Sequence, residues 1–208
     1  MPSMVYGGWR PLPRHVIEQA GKLRPIDDGR AAGTNALSTV TEANVCIPPE
    51  FAILVLRAVE KKVLTRSRNV PEWCEWRGSV EDWWKGYRQL MPSREHMALA
   101  VAAVRHPDTG HMLYSQLRGL RFGLGAAVNQ FVRLPFLFTA AARRLLLVLC
   151  EHHKNDNVIL ELAGLREGAS NSFRALVESL VSVHLADEKR QPPSAAFTFL
   201  AIYMTSGL

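Results

Sequence analysis

Phe173, Leu176, Val177, Leu180 and Val181 recur at three- and four-residue spacing, with Arg174, Glu178 and Ser182 on the other side. That period predicts an amphipathic helix. A second helix is predicted over Glu50–Ser67, where Pro48 and Pro49 suit a first turn and no breaker interrupts the interior. The greasy run Leu134–Cys150 is interrupted by Arg143 and Arg144 and is shorter than a usual membrane span, so it predicts a buried helix running towards a strand. Over His96–Leu117, two strand-length apolar stretches flank HPDTG, a hairpin-turn sequence, although the alanines there also suit a helix.

The remaining stretches are patterned more weakly. Met1–Ala20, with the turn formers of GGWRPLPR, predicts an irregular arm. Gly21–Asn35 places basic residues beside a short strand and a glycine-containing loop. Val70–Leu90 gathers four of the five tryptophans and moves into a short helix. Lys189–Met204 ends in a strand-like apolar run. Helices interleaved with antiparallel hairpins predict an α+β domain rather than βαβ repetition.

A chain of 208 residues that is 48% hydrophobic can bury a real core, which argues against disorder. Its net charge of +6 moves the expectation slightly towards nucleic acid. Cys46, Cys74 and Cys150 are odd in number and lack paired metal spacing, which favours a reducing compartment over a disulfide scaffold. No charged start followed by an apolar signal core opens the chain, and residence beyond that is unknown.

Two acids carry the candidate chemistry. A strand ending near Val80 puts Asp82 at its exit, where it is either a helix cap or a functional carboxylate. In HHKNDN, a tight hairpin delivers Asn155 and Asp156 to one edge of a sheet, which an ordinary Asn/Asp turn would also do.

Taken together, five stretches in order resemble the palm and fingers of a retroelement reverse transcriptase over nearly the whole chain. GKLRPIDDGRAAGTN is similar to the basic fingers segment. VEDWWKGYRQL resembles the first catalytic motif, an aspartate followed by a small residue and an aromatic, here Gly86 and Tyr87. LRGLRFGLGAAVNQF resembles the template- and nucleotide-contacting motif centred on Phe122 and Gly123. HKND resembles the tyrosine–any–Asp–Asp signature, and DEKRQPPSAAFTFLAIY the segment leading to the primer grip.

The resemblance implies a polymerase palm with partial fingers, an antiparallel sheet packed against helices. Residues 1–75 would be the N-terminal arm and partial fingers and 76–208 the palm, with no complete thumb or RNase H domain. It implies deoxynucleotidyl transfer on an RNA or DNA primer–template, with two Mg²⁺ ions activating the primer hydroxyl and stabilising the leaving pyrophosphate. Asp82, Asp156 and Asn155 would hold the metal. Lys22 and Arg24 would grip the triphosphate, with Arg30 a less certain member. Tyr87 would act as a steric gate or else be a core aromatic. Phe122 and Gly123 would shape the nucleotide floor, and Gly125 the turn into the helix. Lys189, beside Arg190, would protonate pyrophosphate or simply contact phosphate or water. Asp27 and Asp28 are expected to form salt bridges or strand caps.

Two departures matter. His153 replaces the signature tyrosine, and Asn155 replaces its first aspartate, leaving the metal site undercharged. Expected activity is therefore weakened or absent. The alternatives are a non-catalytic nucleic-acid-binding remnant of a retroelement polymerase, with flanking polyprotein domains elsewhere and no membrane partner, and a basic α+β domain with chance matches.

Overall fold

The computed structural model describes residues 11–19, 21–39, 48, 50–64, 71–121, 123–200 and 202–205. The chain forms two compact units, residues 1–44 with 85–131, and residues 45–84 with 132–208.

In the first unit, strand β1 (Leu12–Gln19) and strand β2 (Lys22–Asp27) form an antiparallel hairpin whose register runs from Arg14 opposite Asp27 to Gln19 opposite Lys22. The expected irregular arm over Met1–Ala20 is thus corrected: its second half is a strand. Val16 and Ile17 favour extended backbone, but both are largely exposed, so no alternation of apolar and polar residues marked it. Gly21 takes a φ of 70° beside the turn, a value that suits glycine. After helix α1 (Glu50–Leu64), strand β3 (Trp76–Asp82) and the short helix α2 (Gly86–Gln89) come strands β4 (Val101–Arg105) and β5 (Met112–Gln116). They form the hairpin expected around HPDTG, with Ala102 and Ala103 in strand, while Ala98 falls in a short 3₁₀ turn over Glu95–Leu99. The four strands of this unit lie in the order β2-β1-β4-β5, with β1 parallel to β4 and the other pairs antiparallel.

Helix α3 (Gly125–Leu145) gives its residues through Phe131 to the first unit and the rest to the second. It leads into strand β6 (Leu149–His153), as the apolar run Leu134–Cys150 predicts. Strand β7 (Asp156–Leu162), helix α4 (Gly168–Val181) and strands β8 (Gln191–Ser194), β9 (Ala196–Phe199) and β10 (Ile202–Thr205) complete the second unit. The single apolar run expected near the end is a β9–β10 hairpin following β8.

The sheet that positions the acids is antiparallel in the order β6-β7-β3-β8. On one face, Val80, Val158 and Leu160 pack with Leu56, Phe197, Phe199 and Met204. Gly78 makes this possible, since a Cβ there would lie 2.0 Å from the Phe197 ring. On the other face, α4 buries Phe173 and Val177, two of the positions its sequence period selects. Among the described residues no helix is long and apolar enough to cross a membrane.

Candidate active site

Strand β3 ends on Asp82, and the β6–β7 hairpin turns through Lys154 and Asn155 to begin on Asp156. Lys154 holds a φ of 56°, uncommon for a residue with a side chain, which closes the turn. Asp82 and Asp156 are direct register partners on adjacent antiparallel strands. Paired residues in such a ladder project to the same face, so the two carboxylates share one sheet edge. His153 pairs with Asp156 from β6, extending the row across three strands.

The side chains around them are mutually engaged. Asn155 Nδ2 donates to Asp82 Oδ1 at 3.0 Å and lies 3.4 Å from Asp156 Oδ1. Lys189 Nζ donates to Asp82 Oδ2 at 2.6 Å. The backbone ties the same pieces together, because the Trp83 N–H donates to the Asn155 carbonyl and the Ala186 N–H to the Asp82 carbonyl. Burial pushes the Asp156 carboxyl up from its ordinary value and the Asp82 charge adds to the rise, while Lys189 and His153 oppose it. Asp82 does not cap α2, whose N-terminal flanking residue is Lys85.

The donor chemistry suits one hard divalent ion, which takes one or two carboxylates and completes its shell with water and substrate phosphate. It does not suit two ions equally. Asn155 lies beside both acids, and its amide presents N–H to them, the polarity of a cation rather than of a cation's ligand. Among the described residues no group of three or more His, Cys, Asp or Glu side chains is arranged to hold a metal.

The remaining sequence candidates belong to the first unit. Lys22 and Arg24 are exposed on β2, and Arg30 is exposed in the loop beyond it. Asp27 forms a two-pronged ion pair with Arg14, at 2.8 and 2.9 Å, and Asp28 accepts the backbone N–H groups of Arg30 and Ala31, the salt-bridge and capping roles expected of them. Tyr87 is buried, its ring stacked on Phe131 at 4.5 Å between centroids. Gly123 has a φ of 95°, and a Cβ on it would lie 1.9 Å from the Asp27 carbonyl oxygen, so no other residue fits. Phe122 lies outside the described residues. Gly125 opens α3 and donates its N–H to Asn35 Oδ1, while Asn35 Nδ2 donates to the Gly123 carbonyl.

Sequence reasoning missed the support behind Asp82. Glu81, fully buried on the opposite face of β3, accepts from Ser170 Oγ at 3.1 Å, Arg174 Nη1 at 2.7 Å and Arg190 Nε at 3.1 Å. Arg190 is thus an ion-pair partner and not a free phosphate ligand. Glu161 accepts the N–H groups of Glu167, Ala169 and Ser170, fastening the start of α4 to β7. The one available signal was the acid pair Glu81–Asp82 followed far downstream by the basic pair Lys189–Arg190.

No family model and no curated protein matches the sequence. The fold, by contrast, is similar to that of solved viral reverse transcriptases. The foamy viral protease–reverse transcriptase bound to double-stranded DNA matches over 94% of this chain with a TM-score of 0.64 and 14% identity. A second such complex gives 0.59 and 18%, and the prototype foamy virus protease–reverse transcriptase 0.64 and 13%. The chain spans 30%, 35% and 23% of those proteins' lengths. It therefore has a reverse-transcriptase-like polymerase fold of the α+β class.

Proposed function

We propose that this chain is a reverse-transcriptase-type domain that binds nucleic-acid duplexes and retains template-directed deoxynucleotidyl transfer only at a reduced rate. The carrying observation is the in-register pair Asp82–Asp156 with Asn155 wedged between their carboxylates. Two of the similar structures hold double-stranded DNA, which supports a primer–template duplex as the partner.

Asp82 and Asp156 would hold a magnesium ion, which when bound supplies activation of the primer hydroxyl and neutralisation of phosphate charge. Lys189 would release Asp82 on loading and hand its proton to departing pyrophosphate; its side chain is 56% exposed. Lys22 and Arg24 would meet the triphosphate, and Tyr87, held by Phe131, would limit the sugar. The missing charge at Asn155 is assigned a cost of about 4 kcal/mol, roughly a thousandfold in rate.

The test is primer extension with Mg²⁺ or Mn²⁺. Asn155→Asp should raise the rate by about two to three orders of magnitude, and Asp82→Asn should abolish it in that background. No incorporation by the wild type or by Asn155→Asp would reject polymerisation. A second reading, a non-catalytic binding remnant, is favoured by the Lys189–Asp82 ion pair, since the ammonium already occupies a carboxylate oxygen that a metal would need. Duplex binding without incorporation in either protein would select it.

A further inference from the structure

Arg121, in the first unit, is 3% exposed, and none of its three guanidinium nitrogens has a hydrogen-bond partner among the described residues. Arginine cannot shed its charge in a protein, and an ionised group taken out of water is costly unless something pairs with it. Burial indeed presses its pKa down, against the pull of Asp27. Yet Asp27 does not pair with it: both carboxylate oxygens of Asp27 are taken by Arg14.

Arg121 is one of the residues lining a cavity of about 180 Å³ shared with Arg14, Asp27, Arg88 and Arg118. That is far above the ~10–15 Å³ needed to seat one water. Four arginines and one aspartate are among the residues that line it, and Arg88 and Arg118 are exposed, while the Arg121 fork lies buried behind them. A planar fork with unpaired N–H groups matches the oxygens of a tetrahedral oxyanion, two at a time.

We propose that this arginine cavity is a phosphate-binding site, with Arg121 as its buried ligand and Arg88 and Arg118 as its entrance. Its lining residues all belong to the first unit, whereas Asp82 and Asp156 belong to the second. The chemistry of capture is the same for a free phosphate and for a phosphodiester of a nucleic-acid strand.

The test titrates the full chain with inorganic phosphate, and separately with a single-stranded DNA oligonucleotide, following heat release and Tm. Saturable binding with a rise in Tm is expected, because a ligand that binds only the folded state stabilises it. Arg121→Met should melt higher than wild type without ligand, having lost an unpaired buried charge, and should bind about tenfold more weakly or worse. If free phosphate shows this Arg121 dependence, the site takes phosphate as such; if only the oligonucleotide does, the phosphodiester is the ligand. Either supports the proposal. If Arg121→Met does not fold, Arg118→Gln carries the comparison and should weaken binding several-fold. Absence of saturable binding of both ligands to wild type, or binding unaltered by the substitution, overturns it.

Discussion

Glu81 and Asp82 are neighbours on one strand, and Arg190 and Lys189, which pair with them, are neighbours on another segment, yet the two ion pairs have opposite characters. Glu81 is sealed from water and meets Arg174, Arg190 and Ser170, so its oxygens are fully used. Asp82 sits at the strand's end, beside a second acid, and is held by a lysine that is mostly in solvent. Alternation along a strand sends adjacent residues to opposite faces, and that alone separates a group that holds the sheet to α4 from one that can be released for chemistry. Sites poised for reaction are commonly less well satisfied than structural ones, at some cost in stability.

The largest effect that would break this comparison is on folding. Glu81→Ala leaves two arginines without their buried partner and should lower unfolding free energy by about 3–5 kcal/mol. Asp82→Asn should change it by less than ~1 kcal/mol, because Lys189 returns to water and repulsion with Asp156 is relieved. Urea denaturation of both variants measures the contrast, and equal losses would show that Asp82 is as structural as its neighbour.

A smaller effect sharpens it. Asn155→Asp puts a third carboxylate beside two others, and one unit of pKa displacement is worth about 1.4 kcal/mol. In chelator the variant should be roughly 1–2 kcal/mol less stable than wild type, a drop of a few degrees in Tm. Magnesium should restore the loss in the variant and act less on wild type. A Tm in the variant that ignores magnesium would mean that the edge holds no ion even when fully charged.

The acidic hairpin was legible because an Asn/Asp turn between apolar runs is a local signal, and β6, β7 and their turn lie within one short stretch. Asp82 was legible as the exit of a strand. That it stands opposite Asp156 is set by register across 74 positions, which no spacing rule gives, and only the family resemblance suggested it. The Glu81 network was out of reach for the same reason: Ser170, Arg174 and Arg190 reach it from α4 and the segment before β8. Strand β1 was hidden because Val16 and Ile17 are exposed, Leu12 alone is buried, and prolines open it. Arg121 drew no notice because a basic residue in a sequence gives no sign of burial.

The smallest predicted effect extends the contrast between satisfied and reachable groups to the thiols. Cys150 is buried on β6 and donates its S–H to the Thr139 carbonyl at 3.8 Å. Burial pushes its pKa from 9.0 up to about 12, with Arg143 opposing and Glu151 reinforcing the rise. Since the folded value lies above the unfolded one, the thiol's contribution to stability is intact below pH 9.0 and is lost as pH climbs towards about 12. Cys74 is only half-buried. Iodoacetamide at pH 8 should therefore label Cys74 in the native protein and reach Cys150 only in urea, read site by site by mass spectrometry, since the thiolate is the nucleophile. Equal native labelling of the two would show that the edge strand β6 opens readily, leaving β7, which carries Asp156, paired with β3 alone.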